Sequence, residues 1–126
     1  MTASYHAHVY YSGEERAAAA VLRERLLATR DAAPRLSYVG RLADAPVGPH
    51  PIAQFEIHFD APARDAVIGL LESSGLTALV HPLTDDDLAD HTDHARWIGA
   101  PLDLDLSALD PPGENRGAER FGKADV

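Results

Sequence analysis

The hydrophobic period of this chain changes twice in the same way, from two residues to between three and four, and this repeated change limits the fold more than any other feature. "SYHAHVYY" (4–11) alternates around aromatic and β-branched residues and stops at Ser12-Gly13, which reads as a strand and a turn. Ser12 and Glu15 then stand at the spacing of a capping box. The following "EERAAAAVLRERLLATR" sets Ala18, Val21, Leu22 and Leu26 at helical intervals without Gly or Pro. "RLSYVGRL" (35–42) reads as a short second strand, and the turn-rich "ADAPVGPHP" leads to a third at about 52–59, so the two form a hairpin with a long loop. Asp60 is placed to cap a second helix, with Pro62 in its first turn and Val67, Ile68 and Leu71 on one face; Ser73-Ser74-Gly75 ends it. "LTALVHP" (76–82) is a fourth strand, stopped by Pro82. The order βαββαβ predicts an α+β ferredoxin-like sandwich: an antiparallel sheet of order 4-1-3-2 with both helices on one face.

Beyond the fourth strand, "LTDDDLADHTDHARWIG" reads as a loop and a short C-terminal helix. "PLDLDLSAL" alternates Leu102, Leu104 and Leu106 with Asp103 and Asp105, the pattern of an extra edge strand with one buried face. After Pro111 little remains to bury. Residues 1–110 are therefore expected to form a single domain and 111–126 a flexible C-terminal tail. A chain of 126 residues, 45% of them hydrophobic, suits one core.

Charge and composition exclude several classes of function. A formal net charge of −9 opposes binding to nucleic acid or an anionic membrane surface, which depends on Lys and Arg displacing counterions. No apolar run reaches the length of a membrane span and no signal-like N-terminal segment is present, so a cytoplasmic location is expected. With no Cys, any metal would sit on imidazole and carboxylate. The glycine-rich phosphate loops, the G-x-S-x-G elbow and H-E-x-x-H are all absent.

The seven histidines carry the chemistry. Side chains alternate along a strand, so Ala7 and Val9 on the helix-covered face send His6, His8 and Tyr10 to the other. By the same parity Phe55, Ile57 and Phe59 turn inward and Gln54, Glu56 and His58 outward, while Ala78 and Val80 leave Leu79 and His81 outward. In a 4-1-3-2 sheet His6, His8, Glu56, His58 and His81 converge on one region of the open face. A lone histidine there is ordinarily a solvent-facing polar residue. His-x-His beside a carboxylate and a third histidine points instead to a metal or acid–base site. His50, rigid between Pro49 and Pro51, reads as part of a stiff loop or as a wall folded back over that face. His91 and His94 share a face if helical, although a helix that simply packs Trp97 on the domain is the commoner outcome. "DDDLAD" lacks the spaced ligands of a calcium loop and reads as a solvated loop and helix N-terminus.

Three stretches, "YHAHVYY", "PVGPHPIAQFEIHF" and "LVHPLTDDDLADHTDHARWIG", together resemble the DOPA 4,5-dioxygenase family over residues 4–106. The resemblance implies a ferredoxin-like homodimer and a non-haem Fe(II) enzyme that opens the ring of a catechol beside its two hydroxyls, using O2. It directs attention to His8, His50, His81 and His91, with His6 close behind, whereas His58 lies outside the family pattern and reads as a bystander. On the open sheet face, His8 and His81 with Glu56 or His6 are the expected metal ligands. His50 or His91 is the expected acid–base residue, and Tyr10 and Gln54 are expected at the substrate. The family pattern has T-G-D after H-P, whereas here Thr84 is followed by Asp85-Asp86-Asp87, which changes the loop beside the site. The rival expectation is a non-catalytic dimeric ferredoxin-like module that binds a small aromatic ligand or a metal.

Overall fold

The computed structural model describes residues 3–29, 32 and 34–116. Five strands form one sheet, β1 (Ser4–Tyr10), β2 (Tyr38–Val39), β3 (Gln54–Asp60), β4 (Ala78–Pro82) and β5 (Arg96–Ile98), in the order β2-β3-β1-β4-β5 with every pair antiparallel. Helices α1 (Arg16–Thr29) and α2 (Arg64–Ser74) are the long ones, and the short α3 (Asp87–His91) follows β4. The predicted α+β order is therefore present, with an extra edge strand beside β4.

That edge strand is not the segment expected. The leucine–aspartate alternation at 102–106 forms no strand; Leu102 and Leu104 are half-buried, and Leu106 opens a 3-10 turn and is exposed. Pairing falls to Arg96–Ile98, which meets Ala78, Leu79 and Val80. Asp105 N–H instead donates to Pro49 O, tying this stretch to the loop before β3. β2 is also shorter than predicted.

The capping box forms at the start of α1: Ser12 N–H donates to Glu15 Oε1 at 3.0 Å and Glu15 N–H to Ser12 Oγ at 3.3 Å. The buried face of α1 is rotated from the one predicted. Ala19, Leu22 and Leu26 are buried, whereas Ala18 and Val21 face outward. Spacings of three and four suit either stripe, and the sheet selects the one that meets it. Arg30, the last residue of the predicted helix, lies outside the described residues. α2 enters through a 3-10 turn at Ala61–Ala63 carrying Pro62, and stops at Gly75, whose φ of 77° is a left-handed conformation suited to glycine.

Ala7, Val9, Phe55, Ile57, Phe59, Ala78 and Val80 form the sheet's half of the core, against Leu22, Leu26, Val67, Ile68 and Leu71 from the helices. Each fully buried Leu, Ile or Phe contributes about 1.5–3 kcal/mol through removal from water. The opposite sheet face is not open. The turn at 47–50, α3 with its preceding loop, and residues 105–116 cover it. Residues 111–116, the start of the expected tail, are held there: Asp87 N–H donates to Glu114 O, Asn115 Nδ2 to Thr84 O and Arg116 N–H to Asp110 Oδ2. The rest of the expected tail, 117–126, lies outside the described residues. No helix among the described residues is long and apolar enough to cross a membrane.

Candidate functional site

The strand register sets out the site. His6 stands opposite His58 on β3 and His81 on β4, and His8 opposite Glu56 and Leu79, so three strands bring the outward residues together as parity requires. His6, His8, Glu56, His58 and His81 are all buried, under the cover just described. His6, His8, Glu56 and His81 border a cavity of about 380 Å³, whose walls also include His50, Gln54, Leu83, Asp87, His91, Leu109, Asn115 and Arg116.

Carbonyl oxygens fix the tautomers of His81 and His8. His81 Nδ1 lies 2.8 Å from Pro82 O, an oxygen that can only accept, so Nδ1 carries the proton and Nε2 a lone pair. His8 Nδ1 lies 3.1 Å from Gln54 Oε1, which again directs an Nε2 lone pair inward. Those two Nε2 atoms are 3.1 Å apart. Two lone pairs at this distance repel each other unless a cation or a shared proton lies between them. Donor atoms of His6, His8 and His81 all fall within 4.8 Å of one another, a spacing that could hold a metal ion.

The protonation states agree. Burial, followed by the neighbouring His58 and His81, pushes His6 far below the ordinary imidazole value. Burial does the same to His8, followed by His50 and His81, and to His81, followed by His91. Neutral imidazoles are the ligating form. Three of them, with no thiolate available, suit a borderline divalent ion such as Fe(II), so the residues present fit the metal that the sequence resemblance implies.

His50 arrives by the fold-back that the sequence left as one alternative. Val47 and His50 bridge across a turn in which Gly48 has φ 54°, which carries the His50 ring to 4.1 Å from that of His8. Its Nδ1 lies 2.7 Å from Tyr10 Oη, and burial followed by His91 lowers its pKa to about 3. Burial raises the Tyr10 hydroxyl, so it stays protonated. The Tyr10 ring stacks on Trp97 and lies 5.5 Å, centre to centre, from that of His50. His91, at the end of α3, directs Nδ1–H to Asp87 O at 2.8 Å, with Asp87 Oδ1 at 3.4 Å, and its ring centre is 4.1 Å from that of His81. In the neutral ring this arrangement leaves the lone pair on Nε2.

Several expectations change. Glu56 converges with His6 and His58 rather than with His8 and His81. Gln54 lines the cavity, but its carbonyl is already engaged by His8 Nδ1. His58 is fully buried, lies 3.2 Å from Glu56 and stacks on His6, so it stands within the cluster it was read as bypassing. The parity that selected Glu56 selects His58 equally. His94 does not share a face with His91: α3 ends at His91 and His94 is exposed. The acidic stretch is not wholly solvated either. Asp90 is fully buried, accepting from Thr84 N–H, Thr84 Oγ1 and Asn115 Nδ2. Leu109, Asn115 and Arg116 belong to the cavity wall through long-range contacts that leave no local signal in the sequence.

A sequence model of the Dopa 4,5-dioxygenase family matches residues 5–108, a span that holds every histidine of the cavity. The chain belongs to the Dopa 4,5-dioxygenase family. Among similar proteins, a DOPA 4,5-dioxygenase of Amanita muscaria is 34% identical over 111 residues, covering 83% of this chain and 49% of its own. An uncharacterized 21.2 kDa protein of Botryotinia fuckeliana is 34% identical over 116 residues, covering 84% of this chain and 63% of its own. The chain thus spans about half to two thirds of these relatives. The crystal structure of a proposed dioxygenase from Nostoc punctiforme superposes with a TM-score of 0.77 at 37% identity, covering 85% of this chain and 90% of that one. Cavity-wall residues 109–116 lie beyond the span matched by the family.

Proposed function

We propose that this protein is an Fe(II)-dependent extradiol dioxygenase that opens the ring of a catechol, DOPA or a related 3,4-dihydroxyphenyl compound, with O2. The observation that carries the reading is the pair of Nε2 lone pairs of His8 and His81, 3.1 Å apart and completed by His6, at the cavity wall of a Dopa 4,5-dioxygenase family member. His6, His8 and His81 would hold Fe(II) there, and the metal would supply Lewis-acid and redox chemistry to the catechol and O2.

The chain's own residues bind the substrate and handle its protons. A cavity of about 380 Å³ accommodates a single aromatic ring and its side chain. His91 is the better general base, because its Nδ1–H is already committed to Asp87 O and its Nε2 can take a catechol hydroxyl proton. Neutral His50, held by Tyr10, is the second proton-handling group and lines the cavity beside His8. Gln54 and the carbonyl of Pro82 keep His8 and His81 in the tautomer that ligates. Residues 105–116 and the 47–50 turn limit the access of water to the reacting oxygens.

The test is anaerobic loading with Fe(II), addition of a catechol panel headed by DOPA, and admission of air. Ring-opened yellow product is expected for at least one catechol. Metal binding with no product across the panel would favour a non-catalytic binding module.

A further inference from the structure

Glu56 and His58 lie beside the proposed metal triad, and nothing in the reaction as described uses them. Two groupings of donors share His6: His6, His8 and His81, and His6, Glu56 and His58. The second differs from the first in the way its rings meet. His6 and His58 stack face to face, with centroids 3.8 Å apart and planes 9° from parallel. The ligating lone pair of an imidazole lies in the ring plane, so two stacked rings aim theirs side by side instead of at a common point. What they do share is one oxygen: Glu56 Oε2 lies 3.2 Å from His58 Nε2 and 3.7 Å from His6 Nδ1.

From this geometry we infer that Glu56 is not a metal ligand but a positioning carboxylate for His6, and that His58 is the residue that clamps it. The inference rests on the metal-centre reading above. Glu56 faces the Nδ1 edge of His6, which leaves the Nε2 edge to meet His8 and His81, and His58 directs its Nε2–H at the same carboxylate oxygen from the adjacent, stacked plane. A ligating histidine commonly turns its second nitrogen towards a carboxylate, which fixes the ring and makes it a stronger donor. His8 and His81 have carbonyl oxygens in that place, from Gln54 and Pro82, so His6 is the ligand with a carboxyl partner.

Two further observations support the assignment. Glu56 is 3% exposed, and its other oxygen, Oε1, has no hydrogen-bond partner among the described residues, so the buried carboxyl group makes its polar contacts through the Oε2 that faces His6 and His58. Its backbone is also fixed. Gly40 N–H donates to Glu56 O at 2.7 Å, and a Cβ on Gly40 would meet that oxygen at 3.1 Å and Glu56 Cγ at 3.4 Å.

The test is Co(II) titration of wild type, Glu56→Gln and His58→Asn, followed by the visible ligand-field bands, with circular dichroism to confirm folding. Wild type should bind one equivalent. Glu56→Gln should keep the band positions, because the donor set is unchanged, while its dissociation constant rises ~10- to 100-fold. His58→Asn should move in the same direction by less. Shifted or collapsed bands in a folded Glu56→Gln would make Glu56 a ligand and overturn the inference. So would two equivalents in wild type with one lost in His58→Asn, or unchanged affinity in both variants. No Co(II) bound by wild type would remove the inference together with the metal-centre reading, a failure distinguishable because it appears before any substitution.

Discussion

His81 gains its chemical role from one residue on either side. Its place on β4 aims it at His8, and the Pro82 carbonyl beside it sets its tautomer. His81→Ala should therefore abolish the rise in thermal midpoint that Fe(II) or Zn(II) gives the wild-type protein, while the metal-free variant loses little, since a repulsive pair of lone pairs goes with the ring. Differential scanning fluorimetry with and without metal checks this; an equal metal-induced rise in the variant would contradict the assignment. Tyr10→Phe removes the hydroxyl 2.7 Å from His50 and should cost about 1 kcal/mol of stability, measured in urea, and lower turnover more than metal affinity. At this scale the sequence was readable where period two applies. Parity alone placed His6, His8, Glu56, His58 and His81 on one face. It could not distinguish ligand from partner, because that depends on ring orientation: His58 and His81 share a face, yet one stacks on His6 and the other meets His8 nitrogen to nitrogen.

Among the elements, α1 shows what periodicity leaves open. Both Ala18–Val21 and Ala19–Leu22–Leu26 satisfy helical spacing, and contact with the sheet decides between them. Leu22→Ala should destabilise by about 2–5 kcal/mol, the usual range for emptying a core position. Val21→Ala, at a position 62% exposed, should stay within ~0.5 kcal/mol. Chemical denaturation of the pair checks the rotated face, and similar losses would contradict it. The edge strand was misplaced for a related reason. Leucine–aspartate alternation reports one half-buried side, but a strand also needs a neighbour with free ladder groups, and Arg96–Ile98 reaches β4 first after the tight turn that ends α3. The fold-back of the 47–50 turn depends on Gly48 at positive φ and on the hydrogen bond from Asp105, more than fifty residues away in the chain, so the proline-flanked His50 left two alternatives open.

The molecule as a whole stores its proposed activity as a cost in acid. His6, His8, His50 and His81 are all held below the ordinary imidazole value of 6.5, first by burial and then by neighbouring histidines, His58 and His91 among them. The unfolded chain regains the ordinary value and so binds more protons as the pH falls below it. The metal-free protein should accordingly lose stability below pH 6.5 by up to about 1.4 kcal/mol per pH unit for each such histidine, with the His50 contribution exhausted by about pH 3. A urea midpoint at pH 5.5 equal to or above that at pH 7 would contradict this.

The central claim joins the buried triad to ring opening, and oxygen uptake measures both at once. Wild type and His81→Ala, prepared anaerobically with the same Fe(II) and given the same catechol, are compared in an oxygen electrode. The expected result is one O2 consumed per catechol opened by wild type and only the background of free Fe(II) in the variant. Wild-type uptake no higher than free Fe(II) for every catechol tried, or equal uptake by His81→Ala, would contradict the claim.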